Sequence, residues 1–289
     1  MRSLLLIALC VLLCSPYSGS AQKKYKVTDA ENSEPLSYAT ILFPQVSKGL
    51  YADRDGAFVI PAECQPNDSI SVTMLGYLSL NTRISDLTET ILLTKTAYNM
   101  QSVVVTPKKK KKSTIVGLLN SRQSGSPTNM DGFYVSRIAV HIANKSGVSQ
   151  EVDKLLYRYK QHNENIRFVV RPMVYIVNED GSPGAPLLNK SQTIILSGKG
   201  MLEVSCEERL IFPPEGLFIA LEIIEAIDNN GLTITSKDPI RYPYIFTETQ
   251  NKECLTYYSL MLTEWSNYEN NLFANDRVSF NAMFGLSYK

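Results

Sequence analysis

Between residues 25 and 105 apolar and polar side chains alternate in short runs, each closed by turn residues, at intervals of about ten residues. The runs are Tyr25–Asp29, Tyr38–Phe43, Gly49–Tyr51, Ala57–Ile60, Ile70–Leu75, Leu78–Arg83, Thr90–Leu93 and Ser102–Val105. Pro44 lacks the N–H that a ladder needs and ends the second run. A tight turn, Asp53-Arg-Asp-Gly56, precedes Ala57, and a polar corner, Gln65-Pro-Asn-Asp-Ser69, precedes Ile70. Even spacing without a helical period predicts a β-sandwich.

Residues 131–289 follow the same rule with longer runs. Strands are expected within Gly132–Ile142, Leu155–Tyr159, Ile166–Val177, Thr193–Leu196, Met201–Ser205, Leu217–Ile224, Leu232–Ser236, Cys254–Leu262 and Val278–Tyr288. A turn-rich stretch, Asn178-Glu-Asp-Gly-Ser-Pro-Gly-Ala-Pro186, separates two of them. Gly216–Ala226 fits either a strand or a helix. The expectation is an all-β chain whose second half is a larger sandwich of jelly-roll type.

Two segments stand outside this pattern. Residues 1–21 combine Arg2, the apolar run Leu4–Leu13 and the small residues Gly19-Ser-Ala21, the layout of a secretory signal peptide cleaved before Gln22. Lipidation at Cys10 or Cys14 is the alternative, but each follows a leucine (Leu9, Leu13) where a small residue is needed. Residues 107–130 read as a linker carrying Lys108, Lys109, Lys110, Lys111 and Lys112. Those lysines repel one another and stay solvated, or they contact an anionic membrane surface or polysaccharide. No other stretch is apolar enough for a transmembrane helix.

Residues 23–106 resemble the carboxypeptidase-regulatory-like domain. The resemblance rests on Val27-Thr-Asp29, Glu34-Pro-Leu36, Ala39-Thr-Ile41, Asp53-Arg-Asp-Gly-Ala-Phe58, a strand running into Gly76-Tyr77, and Met100-Gln-Ser-Val-Val-Val-Thr106. The chain departs from the family pattern at Asn32-Ser33, Ala52 and Gln101-Ser102. The resemblance implies a seven-stranded, prealbumin-like, non-catalytic sandwich, common in envelope proteins of the Bacteroidota and often placed before the plug of TonB-dependent transporters. Ser102-Val-Val-Val-Thr106 also resembles a TonB box. More faintly, the second half resembles a domain of uncharacterised exported proteins, through Phe168–Tyr175, Gly181-x-Pro183, Pro213–Glu222 and Trp265. That resemblance brings no known activity.

Composition narrows the function. With 20% charged and 44% hydrophobic residues and a formal net charge of +1, the chain is globular and lacks the basic excess of a nucleic-acid binder. There is no G-x-S-x-G elbow, no phosphate-binding loop, and no third glycine after Gly198-Lys-Gly200. Aligning Gly56 with the glycine of a calcium loop puts Tyr51 and Ala62 at ligand positions, so Asp53 and Asp55 read as a hydrogen-bonded turn. His141 and His162 have no partner at ligand spacing. Glu207 with Glu208, and Glu222 with Glu225, are residue types of glycosidase chemistry, but they read as solvated loop or rim positions. No catalytic, cofactor or metal residue is assigned.

Two binding features complete the sequence reading. Cys206 and Cys254 are a candidate disulfide; the alternative is that they and Cys64 are small buried hydrophobes. Tyr242, Tyr244, Phe246, Tyr257, Tyr258 and Trp265 form a late aromatic cluster able either to stack on sugar rings or to pack the core. Tyr257 and Tyr258 must face opposite ways on a strand. The expected protein is a non-catalytic exported envelope component, periplasmic, outer-membrane-associated or on the cell surface. It binds an envelope protein or a glycan through its second sandwich, or serves as an accessory of a TonB-dependent uptake system.

Overall fold

The structure, a computed structural model, describes residues 23–96, 113–120, 123–124, 135–160, 164–234, 244–245, 247–248, 253–267 and 281–289. The expected signal peptide, Ser102–Thr106, the five lysines, Tyr242 and Phe246 lie outside the described residues. No α-helix occurs among those described, and none is long and apolar enough to cross a membrane.

The N-terminal unit contains β1 (Lys24–Asp29), β2 (Thr40–Phe43), β3 (Lys48–Tyr51), β4 (Ala57–Val59), β5 (Ser69–Thr73), β6 (Leu80–Arg83) and β7 (Thr90–Leu93). They form two sheets, β4-β1-β7 and β3-β2-β5-β6. The alternation read from sequence decides which side chains meet between them. Val27 of β1, Ile41 and Phe43 of β2, Phe58 of β4, Ile70 and Val72 of β5, and Ile91 and Leu93 of β7 share one core.

Two of the motif turns now have physical roles. Asp53 Oδ1 accepts from the N–H groups of Asp55 (2.9 Å) and Ala57 (2.8 Å), which pins the entry to β4. Gly56 adopts φ +74°, and a Cβ there would lie 2.5 Å from the Val27 carbonyl oxygen. Asp29 is buried at the end of β1. Its Oδ1 accepts from the Glu31 N–H (2.8 Å), while Oδ2 accepts from the Tyr77 hydroxyl (2.9 Å) and from Lys95 Nζ (2.8 Å). The Val27-Thr-Asp29 and Gly76-Tyr77 motif pieces are therefore two ends of one contact.

The second unit begins with β8 (Thr114–Gly117), β9 (Gln123–Ser124), β10 (Val135–Ile142), β11 (Gln150–Lys160) and β12 (Arg167–Val177). It continues with β13 (Pro183–Pro186), β14 (Ile194–Leu196), β15 (Lys199–Ser205), β16 (Ile211–Phe212) and β17 (Leu217–Ile227). The remaining strands are β18 (Tyr244–Ile245), β19 (Thr247–Glu248), β20 (Thr256–Leu260), β21 (Ser266–Asn267), β22 (Asn281–Ala282) and β23 (Phe284–Tyr288). One sheet runs β13-β12-β17-β10-β20-β21, with β14 also on β12, and a second runs β15-β11-β23-β8. The two sheets share a core, and the Tyr157 hydroxyl crosses it to donate to the Ala220 carbonyl at 3.1 Å.

Two readings change. Thr114–Gly117, placed in the linker from sequence, is instead an edge strand paired with β23 at the far end of the chain, and Leu118 and Leu119 just after it are buried. The Pro183–Pro186 stretch, expected as loop, pairs with β12 at the sheet margin, where missing prolyl N–H groups cost least.

Two predictions follow from the N-terminal unit. Gly56→Ala places a Cβ in a left-handed backbone facing a carbonyl, so urea unfolding should show a loss of at least about 1–2 kcal/mol. The carboxyl of Asp29 is held down, from 3.8 to about 2, first by Lys95, then by the Glu31 N–H, with the Tyr77 hydroxyl adding to both. Its contribution is complete above the unfolded value and is lost as pH falls from about 4 towards 2. Asp29→Asn should lower the urea midpoint at neutral pH and flatten the midpoint's fall across that acid window.

Candidate functional site

β17 lacks the alternation of a half-buried strand, apolar from Leu217 to Leu221 and again at Ile223-Ile224, because both of its faces are covered. Leu217, Ile219, Leu221 and Ile223 point into the sandwich core. Phe218 and Ala220 point the other way and join Met173, Tyr175 and Ala139 in a separate apolar layer, with Leu75 of the N-terminal unit packed against it. The N-terminal sandwich thus lies on the outer face of the larger sheet.

One rung of that face is charged. Glu222 on β17 stands opposite Arg171 on β12 and, on its other side, opposite Arg137 on β10, whose further neighbour is Ser259 on β20. Arg171 and Glu222 are 3% and 4% exposed. Arg171 Nη1 donates to Glu222 Oε2 at 3.2 Å, and the Tyr175 hydroxyl donates to Oε1 at 3.1 Å. Both carboxylate oxygens are therefore engaged. Burial, then the Glu222 charge, raises the Tyr175 hydroxyl far above the ordinary tyrosine range, so it stays a donor.

Arg137 behaves differently. Its Nη2 donates to Ser259 Oγ (3.0 Å) and to the carbonyls of Leu262 (3.2 Å) and Thr263 (2.8 Å), and its guanidinium lies 4.6 Å from the ring centre of Trp265. The carbonyls belong to the turn after β20, where Met261 (φ 45°) and Leu262 (φ 61°) are both left-handed and Thr263 N–H closes onto Leu260. Such a turn matches strand twist but favours glycine and asparagine, so Met261-Leu262 costs strain that Arg137 helps to offset. Leu262 packs beside Gly49 on β3; a Cβ at Gly49 would come 2.6 Å from the Leu262 Cβ.

The two units meet through further specific bonds. The Arg171 Nη2 donates to the Tyr38 carbonyl at 2.6 Å, and the Tyr38 hydroxyl donates to Glu225 Oε1 at 2.7 Å. Tyr38 holds φ 60°, an unusual conformation for a bulky residue, and makes both contacts from it. Arg54 Nη2 donates to the Gly231 carbonyl. Arg171 lies 5.6 Å from the ring centre of Tyr51, whose buried hydroxyl is raised well above its ordinary value, by burial first and by Glu222 second. Gly76 (φ +82°) lets the backbone approach Asn189, since a Cβ there would lie 2.7 Å from the Asn189 carbonyl oxygen.

Between these contacts lies a cleft of about 470 Å³. Thr40, Thr73 and Ser79 bring hydroxyls to it from the N-terminal unit, and Trp265, Tyr175 and Met173 bring rings and a thioether from the second. Among the described residues that line it, the charged ones are Arg137, Arg171 and Glu222. That size and mixture suit a small organic ligand.

The sequence-predicted residues divide around this cleft. Trp265 lines it, packed edge-to-face on Tyr175 at 5.4 Å. Tyr257 and Tyr258 do face opposite ways: Tyr258 is in the inter-sheet core, and Tyr257 packs edge-to-face on Phe218 at 5.3 Å. Neither lines the cleft. Tyr244 is placed in β18, paired with Lys160 of β11 in the other sheet. Cys64, Cys206 and Cys254 are free thiols. The Cys206–Cys254 disulfide is therefore not formed; Cys206 follows β15 in one sheet and Cys254 precedes β20 in the other. Burial pushes the Cys206 thiol up to about 11. No group of histidine, cysteine, aspartate and glutamate side chains among the described residues could hold a metal ion.

Glu222 corrects the sequence reading most sharply, since it was expected on a solvated loop or rim and is instead buried mid-strand. Arg137, Arg171, Tyr175 and Tyr51 were missed. The available signal was Arg171 and Glu222 themselves, two opposite charges each flanked by apolar residues on both sides within its strand.

Removing Glu222 leaves Arg171 buried without its carboxylate. Glu222→Ala should cost on the order of 3–5 kcal/mol in chemical unfolding, whereas replacing both partners, Arg171→Met with Glu222→Leu, should cost much less.

The comparisons with known proteins bear on the N-terminal unit. Residues 26–105 match the family model of the CarboxypepD_reg-like domain, a regulatory and non-catalytic module. No curated protein matches the chain. Among solved structures, one chain from the structure of infectious bursal disease virus Gx strain aligns at 8% identity with a TM-score of 0.27. The alignment covers 82% of this chain and 45% of that one, so this chain spans less than half of the viral chain's length. A likeness at that score carries no structural argument.

Proposed function

We propose that the protein is a non-catalytic binding protein of the cell envelope, and that its ligand is a saccharide held in the cleft between the two sandwiches. The cleft's lining carries this reading: hydroxyls on one wall, the Trp265 ring on the other, and planar polar groups of fixed orientation at its base. Sugars are recognised by that combination, with apolar ring faces against aromatics and hydroxyls against arginine, carboxylate and alcohol groups. The CarboxypepD_reg-like match over residues 26–105 supports a non-catalytic role for the first unit. The apolar leader Leu4–Leu13 supports export.

In this reading the first sandwich forms one wall of the site and is not a detached spacer. Trp265 offers the cleft only part of its ring, because Arg137 covers a face and Tyr175 meets it edge-on. It therefore supplies an apolar edge, with the polar groups providing most of the selectivity.

Binding to an array of neutral and acidic glycans tests the reading. At least one saccharide class should bind, and Trp265→Ala should weaken it by about tenfold or more, the loss of about 1.4 kcal/mol. An array with no binders, together with an unchanged melting temperature in the presence of mixed oligosaccharides, would rule the reading out.

A further inference from the structure

The charged rung holds two guanidinium groups and one carboxylate, and this imbalance faces the cleft. Glu222 is spent on Arg171 and Tyr175, one oxygen to each. Among the described residues no carboxylate lies within ion-pair distance of Arg137; it bonds the Ser259 hydroxyl and two carbonyls and also interacts with the Tyr175 hydroxyl, all neutral groups. Its Nε is buried without a hydrogen-bond partner, as is that of Arg171.

Two lining residues, Tyr77 and Asn189, donate to carboxylates outside the lining. Asp29 is ion-paired with Lys95 and screened by Tyr77, and Glu208 accepts from the Asn189 N–H. Neither lines the cavity. The lining itself therefore carries one formal positive charge in excess, in a partly desolvated place where an unpaired charge is costly. An incoming group with a single negative charge would balance it, whereas a phosphate dianion would overshoot.

We infer that the cleft selects a saccharide bearing a monoanionic group, the carboxylate of a uronic acid or a sulfate ester, and that Arg137 is the residue that recognises the charge. The inference rests on the saccharide reading above and names the class within it. Trp265 sits under the same guanidinium, so a ligand that meets Arg137 also meets the indole edge, and sugar body and charge are read together. Arg171 plays the complementary part: with Nη1 on Glu222 and Nη2 on the Tyr38 carbonyl, its charge is paired, and it joins the two units without contributing net charge.

Calorimetric titration with defined tetrasaccharides tests this on the unaltered protein. The probes are tetragalacturonic acid, its fully methyl-esterified form, a κ-carrageenan tetrasaccharide carrying sulfate esters, and neutral cellotetraose. The expected result is that the acid or the sulfated sugar binds at least about tenfold more tightly than the methyl ester and cellotetraose, with the difference shrinking between about 50 and 500 mM salt. Which anionic arm wins identifies the group. Arg137→Lys should keep the preference and Arg137→Gln should abolish it, each checked for an unchanged circular dichroism spectrum because Arg137 also braces the Met261-Leu262 turn. Equal affinity for the acid, the sulfated sugar and the two uncharged probes would overturn the inference and leave the saccharide reading standing. Binding to none of the four, with a neutral glycan found on the array, would also overturn it.

Discussion

A sheet covered on both faces cannot leave a charge to water, and the rung Arg171–Glu222–Arg137 sits where that constraint is tightest. One side of the sheet is closed by the second sheet of its own sandwich and the other by the N-terminal unit. The rung is acceptable there only because its groups are tied: carboxylate to guanidinium and phenol, guanidinium to the Tyr38 carbonyl, and the other guanidinium to the strained turn after β20. Each tie recruits a neighbouring element into a fixed place. The left-handed Tyr38 and the Met261-Leu262 turn each bond one of the rung's guanidinium groups, and all three of its charged residues line the cleft.

Such a cluster is weak evidence for stability and better evidence for specification. Apolar residues of similar size would bury as well, and without desolvation cost. What they would not do is fix one docking of the N-terminal unit. Arg171 reaches the carbonyl of a single residue, and Glu225 reaches the hydroxyl of that same residue. Because Tyr38 is held from both ends, sliding one sandwich over the other breaks two bonds to buried or half-buried groups at once.

The N-terminal fold was largely legible because its strands are half-buried. Ile41, Phe43, Ile70, Val72, Ile91 and Leu93 alternate with half-buried or exposed neighbours, and period two survives in the sequence. In β12 and β17 the second face is buried too, so alternation disappears; the strands were recognisable but the partner that covers them was not. The same loss concealed the site. Arg137, Arg171 and Glu222 converge through sheet register, which a single sequence does not display, and their separation along the chain hides it further. A lone tryptophan is conspicuous, and Trp265 lines the cleft, while Tyr257 and Tyr258, equally conspicuous, pack against Phe218 and in the inter-sheet core. Aromaticity marked the neighbourhood without marking the residues.

The pairing of β8 with β23 has a consequence for the order of events at synthesis. Val116 lies beside Leu286, and β23 is sandwiched between β8 and β11 in its sheet. Everything from β8 onward must therefore be made before that sheet can close, whereas β1–β7 draw their partners from within the first hundred residues. A chain emerging N-terminus first would present a finished sandwich while the larger one still lacked an interior strand. During that interval the early unit is a ready template, and the apolar layer of Met173, Tyr175 and Phe218 can be shielded as soon as β12 and β17 appear.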